Sequence, residues 1–262
     1  MKEFEDGKDI HNPRTNGLKQ LRNFKTHDIQ TMMTSDDWTR AIFVREPKER
    51  LLSAYLDKVV NTKYFKRRFC KTKQKHNKNN KKLNPRRQRL CHTNGLGTHD
   101  FIHDNQEVVV ADLFSDFLRE AIQCKDPHWQ PQSLFIDRKW WPYINFVGYT
   151  QTMRHDAKRL LQTLYSMKDE NHRNQSNAWE EHGMTGWGSS GTQSFLEPKT
   201  KIHPTNARDK LVRFYTRCDE EFVERNWSSE WDSPFFQFNR SKLLNNSSLI
   251  NTGRYDDCQS LL

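Results

Sequence analysis

The run TRAIFVREPKERLLSAYLDKVV, residues 39–60, changes its hydrophobic period in mid-course. Ala41 to Val44 is a continuous apolar stretch of strand length, and it predicts a short buried strand. Pro47 follows closely, suited to a first helical position because its missing N–H would have no helical partner there. Leu51, Leu52, Tyr55 and Val59 then recur at helical spacing and share one face. Arg45 falls at the carboxyl end of the strand and Ser53 on the helix. Strand-to-helix junctions of this kind bind anions in open α/β sheets, so Arg45 and Ser53 are candidate anion contacts. The same trio of strand, arginine and helix also occurs for structural reasons alone. Arg50 is a further cation with two readings, one in the site and one facing solvent.

The period changes again further on. Asp28 to Met33 reads as a short helix. Val108 to Val110 leads into an amphipathic segment with Leu113, Phe117, Ala121 and Ile122 roughly on one face, stopped by Asp126-Pro127. Ile144 to Val147 reads as a buried strand closed by Gly148, followed by a helix with Ala157, Leu160, Leu161 and Leu164 inward. Thr205 or Asn206 is placed to cap a last helical region running to about Arg225, with Leu211, Phe214, Tyr215 and Phe222 inward. This order predicts an α/β fold, three layers around a parallel sheet. The expected organisation is a polar segment with a short helix over 1–38, a folded domain over 39–238, and an Asn/Ser-rich tail over 239–262. Within the domain, 63–89 reads as a basic insertion and 168–200 as a mobile Gly/Ser-rich loop.

Charge narrows the partner. With 43 Lys and Arg against 33 Asp and Glu, the net charge is +10, which calls for an anion: nucleic acid, lipid, sulfated glycan or nucleotide. The basic stretch KYFKRRFCKTKQKHNKNNKKLNPRRQR carries three readings: a solvated disordered insertion, an electrostatic guide for a polyanion, or a nucleic-acid or nuclear-localisation arm. The last lacks the aromatic interleaving of a single-strand binder. Cys70, Cys91, Cys124, Cys218 and Cys258 show no zinc-type spacing, and an odd count leaves at least one thiol unpaired in a monomer. N-x-S sequons at Asn174, Asn226, Asn239, Asn245 and Asn246 mildly favour a secretory compartment. No apolar run reaches the length of about 18 residues that a spanning helix needs.

FVREPKERLLSAY closely resembles the 3′-phosphate-binding segment of the Golgi carbohydrate sulfotransferases, the group containing the chondroitin and dermatan 4-O-sulfotransferases. Three more segments resemble that family in the same order: FSDFLREAIQ with DPHWQP, INFVGYTQTMRHDAKRLLQTL, and HPTNARDKLVRFYT. Together they cover roughly residues 21–225. The resemblance implies a P-loop-like sulfotransferase fold and 3′-phosphoadenosine-5′-phosphosulfate (PAPS) as sulfate donor, its 3′-phosphate held by Arg45 and Ser53. It also implies an anionic or neutral glycan acceptor, and a Golgi-lumen protein held by a membrane anchor that this chain lacks. Two features depart from the pattern. Tyr149 stands where the family usually has Lys after the strand glycine. The family's amino-terminal 5′-phosphosulfate loop has no clear counterpart before Thr39, with Asn12–Gly17 the only faint candidate, so the chain is expected to be incomplete at its amino terminus.

His128 and Trp129 carry the remaining chemistry. A sugar hydroxyl must lose its proton to accept sulfate, and a histidine suits that role, so His128 is the candidate base. It also reads as a substrate or loop contact. Trp129 reads either as a sugar-stacking wall or as core, and Asp126 as a residue that could orient His128. His203, Thr205 and Lys210 lie where a helix N-terminus could face phosphate, or act simply as cap and surface charge. No metal is required, because fixed cations can neutralise a transferring sulfuryl group. The leading expectation is a PAPS-dependent carbohydrate O-sulfotransferase. The alternatives are an inactive relative that binds glycan or nucleotide, and a basic nucleic-acid-binding protein.

Overall fold

A computed structural model describes residues 19–70, 84–92, 104–168 and 205–240. In chain order its elements are α1 (Thr26–Thr34), β1 (Ala41–Val44), α2 (Pro47–Tyr55), α3 (Tyr64–Phe69), α4 (Pro85–His92), α5 (Asp104–Gln123), β2 (Phe146–Tyr149), α6 (Met153–Lys168), α7 (Ala207–Phe214), α8 (Arg217–Asn226) and α9 (Ser228–Trp231). A π-helical turn, Leu56–Asn61, extends α2. The fold is helix-rich with a small parallel sheet, in keeping with the expected α/β class. No helix among the described residues is long and apolar enough to cross a membrane.

The chain divides into two compact units, residues 1–44 with 136–202 and residues 45–135 with 203–262. In the first, β1 and β2 pair in parallel, with Phe43 opposite Gly148 and Val44 opposite Tyr149. The second strand is Phe146–Tyr149 rather than Ile144–Val147, so Gly148 lies inside it and does not close it. The reason is steric: a Cβ at position 148 would stand 2.4 Å from the Phe43 ring. Val44 is the only residue of β1 that is fully enclosed, so that strand is less buried than its sequence suggests. After β2, Asp156 accepts from the Tyr149 N–H at 2.9 Å and from the Thr152 hydroxyl at 2.6 Å, which fixes the turn into α6.

The second unit holds the main core. Leu51, Leu52 and Tyr55 of α2 pack with Phe114, Phe117 and Leu118 of α5, and Tyr55 donates its hydroxyl to the Val110 carbonyl at 2.6 Å. On α5 the inward face is thus carried by Phe114 and Leu118 beside Phe117 and Ala121, while Ile122 is exposed. α2 starts where the sequence places it: Pro47 occupies its first turn and the Glu46 carboxylate accepts from the Glu49 N–H. Lys48 is enclosed on this helix by Glu220 and Glu224 of α8, at 2.8 and 3.0 Å. The helical region expected from 205 to about 225 breaks into α7 and α8. Tyr215 is extended, and Thr216 opens α8 with a capping box to Asp219.

Both flanks of the basic stretch are helical. Phe65 on α3 is buried, as are Leu90 and Cys91 on α4, and a Cys70–Cys91 disulfide joins the two flanks. Phe65 within the basic stretch, and Leu90 and Cys91 just after it, thus dock its ends on the core. Residues 71–83 lie outside the described residues, as do residues 169–200 of the loop expected over 168–200 and residues 241–262 of the tail expected over 239–262. Cys124 is a buried free thiol, in line with the unpaired cysteine expected from the odd count, and Cys218 is disulfide-bonded.

Candidate active site

Arg45 follows the last residue of β1, and α2 carries Ser53 two turns on. The helix turns these two side chains together, so that the Arg45 Nη1 donates to the Ser53 hydroxyl at 2.9 Å. Thr205 joins them from the other end of the unit, its hydroxyl 3.0 Å from that of Ser53. Asn206 then adopts a left-handed conformation (φ 45°), which Asn tolerates better than most residues, and turns the chain into α7. Asn206 holds the N-cap position, but its side chain makes no capping bond. A guanidinium and two hydroxyls converging at a strand-to-helix junction suit a phosphate group. Glu49 competes for the same guanidinium at 3.3 Å, which tempers its charge. Lys210 lies further along α7, and His203 lies outside the described residues.

The junction is held from behind by residues that sequence reasoning did not single out. Gln132 accepts from the Arg45 N–H at 2.9 Å and donates to the Arg45 carbonyl at 2.8 Å, pairing with it as a strand would. Glu230, fully enclosed, accepts from the Gln132 backbone N–H and, at 3.3 Å, from its side chain. Burial pushes the Glu230 carboxyl up to about 7, against the bonds from Gln132 and the nearby Arg50 charge. Arg50 does not simply face solvent. It donates to the carbonyls of Gln130 at 2.7 Å and Pro127 at 2.6 Å, with its guanidinium over the Phe135 ring. Burial pulls its pKa down to about 10.

Pro127 and Gln130 bracket His128. Asp126, completely enclosed, accepts from both the backbone N–H of His128 (3.0 Å) and its ring Nδ1 (2.5 Å). The two loop neighbours face each other through a tight turn, closed by the Trp129 and Gln130 N–H groups on the Asp126 carbonyl. The Tyr64 hydroxyl at 2.8 Å and Arg68 at 3.0 Å, both from α3, complete the cage around Asp126. Burial alone would raise the Asp126 pKa; the His128 and Tyr64 hydrogen bonds outweigh it and hold the carboxyl below its usual range. Asp126 is therefore ionised and fixes a proton on Nδ1, which leaves Nε2 as the basic nitrogen. The His128 side chain keeps 38% of its exposure.

Trp129 does not wall a cleft. It is fully buried, donates its Nε1–H to the Cys124 carbonyl at 2.5 Å, and packs on Phe65, Phe69 and Phe117. The indole enters the core because its one polar atom finds a carbonyl there, which removes the sugar-stacking role expected for it. The basic stretch is also partly neutralised. Arg87 pairs with Glu120 at 2.7 Å, Arg89 with Asp116 at 2.7 Å, and Arg86 reaches Asp116 at 4.0 Å.

Arg45, Ser53 and Thr205 thus converge where β1 leads into α2, and a loop fastened to that helix carries a carboxylate-held histidine. The chain belongs to the sulfotransferase family, which it matches over residues 2–218. Among curated proteins it is similar to human carbohydrate sulfotransferase 9, with 28% identity over 159 residues. That match covers 58% of this chain and 30% of the human protein's length. No solved structure matches the chain significantly.

Proposed function

We propose that the protein is a carbohydrate O-sulfotransferase that moves sulfate from PAPS to a glycan hydroxyl. The observation that carries this reading is the convergence of Arg45, Ser53 and Thr205 in a segment of the family match. Arg45 and Ser53 would hold the donor 3′-phosphate, with Thr205 adding a third polar group to the cluster. His128, its Nδ1 proton fixed by Asp126, would take the acceptor hydroxyl proton on Nε2. The hydroxyl oxygen attacks sulfur, the bond from sulfur to the bridging phosphate oxygen breaks, and 3′-phosphoadenosine-5′-phosphate (PAP) leaves. We place β1 and β2 in the central parallel sheet of a three-layer, P-loop-like domain over residues 39–238. A Golgi-lumen location fits the Cys70–Cys91 disulfide, since disulfides persist in oxidising compartments. The relative's name supports a carbohydrate acceptor.

The test is binding of PAP and of adenosine 5′-phosphosulfate, which lacks the 3′-phosphate. Arg45→Ala should weaken PAP binding by about 1.5–3 kcal/mol, the scale of charge-assisted hydrogen bonds, and leave the second ligand nearly unaffected. Equal losses for both would move the 3′-phosphate elsewhere. Sulfate transfer is then measured with the full-length protein over a glycan panel that includes unsulfated chondroitin.

A further inference from the structure

Arg50 ties the helix of the donor grip directly to the loop of the candidate base. It sits on α2 between Arg45 and Ser53, and its two terminal nitrogens reach the Pro127 and Gln130 carbonyls on either side of His128. Gln132 binds both backbone groups of Arg45, so the segment from Pro127 to Gln132 is fastened to α2 through Arg50 and to the residue after β1 through Gln132. A guanidinium can span two separate carbonyls because its donors diverge in a rigid plane; an ammonium cannot reproduce that fork. Nη1 and Nη2 each give a donor to these carbonyls, so the geometry gives Arg50 a role in holding the loop.

We infer that Arg50 is a positioning residue for sulfuryl transfer, holding the His128 loop in register with the Arg45 and Ser53 donor site. The inference rests on the sulfotransferase reading above and adds to it a residue that touches neither donor nor acceptor. Group-transfer rates are sensitive to misplacements of about 1 Å, with losses on the order of 10²-fold, whereas ligand affinity at a separate contact is not. Arg50 should therefore act on kcat and not on donor affinity.

The experiment is a double-mutant cycle in the full-length protein, with Arg50→Lys, His128→Ala and the pair. PAP affinity is measured for each, as is sulfate transfer from PAPS to unsulfated chondroitin. Arg50→Lys should lower kcat about tenfold or more with PAP affinity within about twofold. In the His128→Ala background it should add little, because a misplaced base and an absent base fail alike. Losses that multiply in full, an unchanged kcat, or a parallel loss of PAP affinity would each overturn the inference while leaving the donor assignment standing. A His128→Ala variant with unchanged kcat would overturn the reading of the base, and the inference with it. Should Arg50→Lys fail to fold by circular dichroism, Arg50→Gln replaces it with the same expectations, since its amide can serve only one of the carbonyls.

Discussion

Asp126 shows how much a single buried carboxylate can organise. Its oxygens accept from His128 twice and from Tyr64, and pair with Arg68, so every lone-pair direction it offers is used. Replacing it by Asn removes the charge and introduces N–H donors where acceptors are needed. Asp126→Asn should therefore lower kcat toward the level of His128→Ala, itself expected to lose roughly 10²–10⁴-fold, with PAP affinity nearly unchanged. Steady-state kinetics beside PAP titration would decide it, and an unaltered kcat would assign Asp126 to folding alone. The neighbouring Trp129 shows the opposite outcome: the same loop sends its aromatic side chain into the core, next to Phe117. Sequence alone left both of its readings open. Only the position of the Cys124 carbonyl chose between them.

At the scale of elements, two fastenings carry testable consequences. In β2 the approach of the Phe43 ring to Gly148 leaves no space for a side chain. Gly148→Ala should destabilise the strand pair by about 1–3 kcal/mol, the usual cost of overpacking, read as a lower denaturation midpoint. A neutral result would mean that Phe43 swings away freely. α3 and α4 are joined by Cys70–Cys91 across a sequence separation of 21. Closing a loop of that size restricts the unfolded chain by about 3 kcal/mol in the chain-entropy model. Serine at both positions should lower unfolding stability by up to that amount, and reducing agent should do the same to the unmodified protein. α3 also supplies Tyr64 and Arg68 to Asp126, so this disulfide fastens an element of the candidate site as well as the fold.

For the molecule as a whole, the buried Glu230 gives stability a pH dependence. Its carboxyl has an ordinary value of 4.5 and is raised to about 7 in the fold, chiefly by burial. The folded state therefore binds a proton that the unfolded state releases between those values. That contribution is full below pH 4.5, is lost as pH rises through about 7, and stays lost above. Thermal midpoints should fall across this window, and Glu230→Gln should flatten that part of the profile. An identical profile in the variant would place the titration on another group. The net charge of +10 remains a property of the full sequence, but the described arginines of α4 are matched by Asp116 and Glu120. Charge in the sequence is thus not the same as charge free to meet a partner.

The sequence by itself determined the elements that depend on local period and local caps. These are β1, α2 with its Pro47 start, the stop at Asp126-Pro127, and the placement of Arg45 and Ser53 near one strand-to-helix junction. The parallel relation of the strands also followed from the order of elements. What lies far apart along the chain was decided by tertiary structure. Thr205 reaches Ser53, Gln132 pairs with Arg45, Glu230 holds Gln132, and Lys48 meets Glu220 and Glu224. The physical reason is common to them all. A polar side chain carries no periodic signal, and its role is set by which unsatisfied carbonyl, N–H or charge the folded chain brings beside it.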